Sequence, residues 1–386
     1  MSSTAPRAIR SDRHVPELDG VRGIAIAAVM ALHFVSNMIA EPSNWIEKLL
    51  VKATSYGVWG VDLFFVLSGF LITGILYDAK GSAHYFRSFY MRRTLRIFPL
   101  YYGVLLVLML LVPEGLLAAH AHDMLEARSH QAWLWPYLTN VYLARVGEFS
   151  LPYVSHFWTL AIEEHFYLLW PFAVAFLSGR AAQKLCVVLG LFSLALRITL
   201  HAVGVNAVAV QVLTPCRLDT LCVGGWFALA LRDPNLGPTL VLRARRWLAY
   251  AAAGVLALSV WHATVSLADD TVKAVRGTLL ALLFGSFILL AARDEKLATV
   301  RPMLSARWLV ALGKYSYGLY VFHGLVAHFM MSHETLAKLT ERVDSRLLAL
   351  GIQALVGVLV SLLLAVVSYE LFEARFLRLK KRFEAT

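Results

Sequence analysis

Of the chain's 386 residues, 59% are hydrophobic and 16% charged, which excludes a soluble domain with a solvated polar surface and points to a polytopic membrane protein. The net charge of +11 does not imply a nucleic-acid partner, because Lys and Arg fall between apolar runs rather than along one polar face. Cys186, Cys216 and Cys222 stand in or beside apolar segments without ligand spacing, so they read as packing residues and not as a disulfide framework or metal site.

Residues 1–21 are polar and basic and read as a cytoplasmic N-terminal tail. Ten apolar stretches long enough to span follow, at about 22–40, 58–77, 97–112, 158–177, 185–203, 208–231, 247–263, 274–292, 309–331 and 347–370. Most of the 36 Lys and Arg lie in the segments that would be internal if residue 1 is cytoplasmic, so both termini are expected inside. The expected fold is an all-α bundle of about ten transmembrane helices forming one domain over 22–370, with a basic cytoplasmic tail over 371–386. The chain ends soon after the last span, so no appended extracytoplasmic domain is expected. The first stretch lacks a small-residue cleavage site and reads as a retained helix rather than a signal peptide.

That first stretch, RGIAIAAVMALH, begins at Arg22 and ends at His33. Eleven helical steps of about 100° return close to the starting face, so both residues share one side of the helix, roughly 16 Å apart along its axis. Arg22 then stands at the surface and His33 near the midplane of a hydrocarbon core of about 30 Å. An imidazole there serves as a polar contact between helices or as a general base near neutral pH. Asp19 is placed to pair with Arg22 on the same face. In the second stretch, Asp62 lies near the outer end within reach of water, Ser68 sits in apolar surroundings, and several glycines indicate close helix contact.

FRSFYMRRTLRIFPLYY leads into the third stretch and winds Arg92, Arg93 and Arg96 into one basic turn, with Arg87 just before it. Such a turn marks the inner leaflet or binds a phosphorylated ligand. The longest outer segment, 113–157, carries Trp133, Trp135 and Tyr137, which suit headgroup depth. Glu163 and Glu164, in SHFWTLAIEEHFYLLWP, are about 100° apart and cannot face one cavity together. One of them orients an imidazole or binds an acceptor hydroxyl. Arg217 and Asp219 enter the sixth stretch together, as an ion pair or as part of a site, and His323 lies near the midplane of the ninth. Glu370 and Glu373 stand at the inner end of the tenth.

Six segments in order, LDGVRGIAIAAVMALH, GVWGVDLFFVLSGFLI, RSFYMRRTLRIFPLYY, FWTLAIEEHFYLLWP, CRLDTLCVGG and KYSYGLYVFH, resemble the integral-membrane acyltransferase type 3 family, which moves acyl groups, commonly acetyl, onto hydroxyls of sugars and related molecules. The resemblance implies acyl-CoA, most simply acetyl-CoA, supplied from the cytoplasm as donor substrate. It makes His33 the essential residue, with Arg22 in the same site, Arg93 and Arg96 near the donor phosphates, and a role for Glu163 or Glu164; Arg92, on the same basic turn, is expected to bind the donor with them. Asp62, Ser68, Arg217, Asp219 and His323 are expected to support the site. Where the family commonly has Gln after the Glu pair, this chain has His165.

Many members carry a further esterase-like domain. Without one, acceptor choice falls to the outer loops, the cavity or a separate acceptor-presenting partner. The resemblance also places the protein in a bacterial plasma membrane, with a glycan or glycosylated molecule as acceptor. A thioester is already activated, so neither a metal nor a resident cofactor is called for. The reading from another class is a transporter or flippase of a lipid-linked glycan, with the same ionisable residues along its path. The repeated halves and interrupted helices common in such proteins are not evident in the sequence.

Overall fold

The computed structural model describes residues 15–112, 121–264, 270–294 and 300–383. Among the described residues the secondary structure is helical, without β-strand. Helix α1 (Pro16–Phe34) opens on a proline, which loses no needed donor there, and carries Glu17 and Asp19 in its first turn, where the helix dipole favours acids. It therefore begins before Arg22, within the stretch expected to be tail; residues 1–14 of that tail lie outside the described residues.

A short helix that hydropathy passes over, α2 (Trp45–Ser55), is fixed by a reciprocal cap. Asn44 Oδ1 accepts from the Glu47 backbone at 2.9 Å, and the Glu47 carboxylate accepts from the Ser43 backbone at 2.8 Å. Next come α3 (Trp59–Asp78) and α4 (Tyr85–Leu106), the latter continued by a π-helical turn over Val107–Leu111. Two short helices, α5 (Ala121–Ser129) and α6 (Thr139–Val146), occupy the long loop before α7 (Trp158–Phe176) and α8 (Gly179–Ala202). The Lys80 ammonium closes the end of α7, donating to the Val174 and Leu177 carbonyls at 2.9 and 2.6 Å.

The sixth apolar stretch is broken into α9 (Ala207–Val212) and α10 (Leu218–Arg232), because Leu213 is extended before a 3-10 turn over Thr214–Arg217. Then come α11 (Gly237–Thr264), α12 (Asp270–Arg293), α13 (Arg301–Leu304) and α14 (Arg307–Lys314). The ninth stretch is also interrupted, at Tyr315, between α14 and α15 (Ser316–Ser332). The chain finishes with α16 (Thr335–Val343), α17 (Arg346–Ser368), a π-helical turn at Tyr369–Glu373, α18 (Ala374–Leu379) and a last turn to Phe383.

Among the described residues, six helical runs are long and apolar enough to cross a membrane: Pro16–Met38, Trp45–Asp78, Tyr85–Leu111, Gly179–Ala202, Asp270–Arg293 and Arg346–Phe383. The other apolar stretches lie on shorter or more polar helices. Helix α10 has 15 residues, α15 has 17, and α7 carries Glu163, Glu164 and His165.

Helix α3 is apolar on nearly every side and is buried at the centre. Helix α10 lies directly along it: a Cβ on Gly69 would run into the Leu221 carbonyl, and one on Gly224 into the Val66 carbonyl. Arg197 of α8 ties the neighbouring helices together. It binds Asp219 through both nitrogens at 2.9 and 2.6 Å, and reaches Thr278 Oγ1 at 2.7 Å and the Ala274 carbonyl at 3.2 Å. Arg217 pairs with Asp62, so Asp62 is buried in a helix contact rather than open to water. Cys186, Cys216 and Cys222 are buried free thiols within this packing.

Apolar side chains such as Leu169, Phe176, Leu191 and Leu363 are exposed around the outside, the belt that hydrocarbon requires. Tyr137, one of the aromatics of the long outer segment, is buried with its ring stacked on that of Tyr101, centres 4.1 Å apart. The residues of the basic C-terminal tail are helical to Phe383 and lie against α4, with the Arg87 guanidinium 5.6 Å over the Phe383 ring; residues 384–386 are outside the described ones.

Candidate active site

The periodicity of α1 puts Arg22 and His33 on the inward side, toward two different cavities. Arg22 holds Asp19 at 2.8 Å and lines both a cavity of about 500 Å³ at one end of the bundle and a deeper one of about 130 Å³. The larger is strongly cationic: Arg92, Arg93, Arg96, Lys314 and Lys380 share its wall with Arg22, and Asp19 is the acid among its described lining residues. Helix α4 begins at Tyr85, so the three arginines of its basic turn lie inside the helix. Lys314 is the last residue of α14, just before the break at Tyr315, and Lys380 comes from the turn after α18.

Arg22, Arg93 and Arg96 also line the deeper cavity, which is otherwise apolar apart from a polar strip. Ser68 hydrogen-bonds Tyr167, and Glu163 lines the same cavity wall beside both. The Arg93 guanidinium sits 5.3 Å from the Tyr167 ring centre. At the far wall, Thr159 Oγ1 donates to the Tyr320 hydroxyl at 2.5 Å, and Tyr320 donates to the His156 carbonyl at 2.8 Å.

Beyond that wall stand three imidazoles. His33 and His323 meet edge to face with ring centres 4.8 Å apart, and His323 and His156 follow at 5.2 Å. Each ring has one nitrogen engaged by a backbone carbonyl: His33 Nδ1 with Val29 at 2.9 Å, His323 Nδ1 with Leu319 at 3.1 Å and His156 Nε2 with Val321 at 3.1 Å. A carbonyl only accepts, so those nitrogens carry the protons and His33 Nε2 is left as the basic nitrogen. His323 Nε2 is buried without a hydrogen-bond partner among the described residues. Gly324 makes the cluster possible, since a Cβ there would collide with the His156 ring. His33 and His156 then form part of a third cavity, about 320 Å³, at the end of the bundle opposite the arginines.

Of the residues singled out from the sequence, Arg22, Arg92, Arg93, Arg96, Ser68 and Glu163 line the two cavities, which share Arg22, Arg93 and Arg96 in their walls, while His33 and His323 lie together just beyond. Glu164 is outside all three cavity walls; its Oε1 is buried without a partner among the described residues. Asp62, Arg217 and Asp219 belong to ion pairs between helices. His165 is bound through Nδ1 to Thr214 Oγ1 at 2.7 Å. The sequence reading missed His156, Thr159, Tyr167, Tyr320, Lys314 and Lys380. A signal for the first was present in SHFWTL, where a histidine opens an apolar helix. Lys314 and Lys380 join the site only through the fold.

A family model described as Acyltransferase domain matches residues 15–370. The chain is similar to the O-acetyltransferase OatA of Staphylococcus aureus, 26% identical over 97% of this chain and 59% of the relative. It is also similar to the peptidoglycan O-acetyltransferase OatA of Listeria monocytogenes, 29% identical over 81% of this chain and 49% of the relative. The chain thus spans roughly half to three fifths of the length of these curated relatives. No solved structure matches it.

Proposed function

The chain belongs to the integral-membrane acyltransferase type 3 family and is a multi-pass membrane protein, and from that premise we propose that it is an O-acetyltransferase moving an acetyl group from acyl-CoA to a hydroxyl of a glycan. The observation that carries this reading is the position of His33: its basic Nε2 lies in an imidazole layer between a cationic cavity and a second one with no Lys or Arg among its described lining residues. The relatives' names supply the acceptor class, a cell-wall glycan such as peptidoglycan.

In this account the donor's phosphates rest against Arg92, Arg93, Arg96, Lys314 and Lys380, where guanidinium groups pair phosphate oxygens bidentately. The thioester reaches up the deeper cavity toward the histidines. His33 Nε2 takes the hydroxyl proton as the acceptor oxygen bonds to the thioester carbonyl. The carbon–sulfur bond then breaks, and the departing thiolate receives that proton from the imidazolium. Ser68, Tyr167 and Arg93 supply the donors near the developing oxyanion, and Glu163 holds their geometry.

The arginine end faces the cytoplasm, where CoA is found, in a bacterial plasma membrane. The ten apolar stretches cross it with both termini inside. Acceptor choice rests on the cavity at the histidine end or on a separate presenting partner.

Purified protein incubated with radiolabelled acetyl-CoA and a panel of glycans tests the reading. The expected result is label on a sugar hydroxyl, absent with His33→Gln. Equal acetylation by that variant overturns the role of His33. Movement of unmodified lipid-linked sugar without label overturns the enzyme reading in favour of a transporter.

A further inference from the structure

The third cavity, at the histidine end, has a chemistry of its own. Among the described residues its wall holds no Lys or Arg, whereas the cavity at the opposite end is built on them. The two therefore suit different ligands, one anionic and one neutral. Around the neutral cavity stand His33, Asn37, Ser150, Tyr153, His156 and His328. Ser150 Oγ is buried with no hydrogen-bond partner among the described residues.

Tyr153 is held at φ 64°, a left-handed conformation that a bulky residue keeps only when its surroundings impose it. Its ring meets His328 edge to face at 4.4 Å, and His328 Nε2 is anchored by Asp123 at 3.1 Å. An aromatic face beside hydroxyl, amide and imidazole groups matches a pyranose ring, which has an apolar C–H face and a rim of hydroxyls. The volume of about 320 Å³ is at the small end for ligand pockets and fits one or two sugar rings rather than a polymer.

We propose that this cavity is the acceptor subsite, taking a neutral pyranoside with its C–H face on Tyr153, a hydroxyl on Ser150 and the reacting hydroxyl toward His33. The acceptor thus enters from the end opposite the donor. The assignment rests on the acyltransferase reading, but sugar binding can be measured without chemistry.

Saturation-transfer NMR on the full chain in detergent, with methyl β-N-acetylglucosaminide and di-N-acetylchitobiose as probes, should give a binding signal. That signal is lost in Tyr153→Leu and in the cavity-filling Ser150→Phe, and kept in Tyr153→Phe and in Arg96→Met at the other end. In turnover assays Tyr153→Leu should raise acceptor KM about tenfold with donor KM unchanged, and Tyr153→Phe should restore it. Absence of sugar binding in the native chain, or variants at Ser150 and Tyr153 that transfer acetyl with unchanged acceptor KM, overturns the proposal while leaving the acyltransferase reading intact. Sugar binding that depends on Tyr153 in a protein that transfers no acetyl supports the subsite and overturns the acyltransferase reading.

Discussion

The hydrogen bond from His33 Nδ1 to the Val29 carbonyl, at 2.9 Å, fixes the ring and leaves Nε2 as the nitrogen free to take a proton, the base of the proposed reaction. Because this bond is local and the ring is only half-buried, His33→Gln should cost little stability. Loss of a positioned base should lower kcat about 10²–10⁴-fold, measured by acetyl transfer alongside a thermal melt that stays close to the native one. The two neighbouring glutamates should separate cleanly. Glu163 lines the deep cavity beside Ser68, Tyr167 and Arg93, whereas Glu164 does not. Glu163→Gln should therefore lower kcat at least tenfold, on the order of one lost charge-assisted contact, with Glu164→Gln close to native. Equal losses in the two variants contradict the assignment. The facing of Arg22 and His33, and the divergence of the glutamates, were legible in the sequence because helical periodicity is a local property. The meeting of His156 with His323 was not, since it depends on a glycine at 324 and on how α15 packs against the turn before α7.

At the scale of elements, the contact of α3 with α10 leaves no room at Gly69 or Gly224. Gly69→Val should destabilise the bundle by roughly 1–3 kcal/mol or more, read as a lower melting temperature or loss of folded protein in detergent. Arg197 is buried and balanced by Asp219 and Thr278. Arg197→Met should cost about 3–5 kcal/mol by stranding a buried carboxylate, and Arg197→Met with Asp219→Leu should recover much of it. A double variant no more stable than the single one contradicts this. The sequence showed apolar stretches and their order, since hydropathy depends on composition. It did not show the breaks at Leu213–Arg217 and Tyr315, where extended backbone and short turns interrupt runs that remain apolar, nor α2, whose cap is polar.

For the whole molecule, the bundle holds a cationic cavity at one end and, at the other, a cavity with no Lys or Arg among its described lining residues, with three imidazoles between them. Arg93→Met with Arg96→Met should raise donor KM roughly 10–100-fold through lost phosphate pairing, with a smaller effect on acceptor KM. Lys314 and Lys380 reach the same cavity from distant parts of the chain, which no reading of local pattern could supply. On the proposed reading, donor and acceptor approach His33 from opposite ends. Proteoliposomes of uniform orientation, with radiolabelled acetyl-CoA confined to the compartment facing the arginines and methyl β-N-acetylglucosaminide to the other, test it most directly. Label should appear on a sugar hydroxyl in that arrangement and vanish with His33→Gln. Label formed only when both substrates share one compartment would contradict the account.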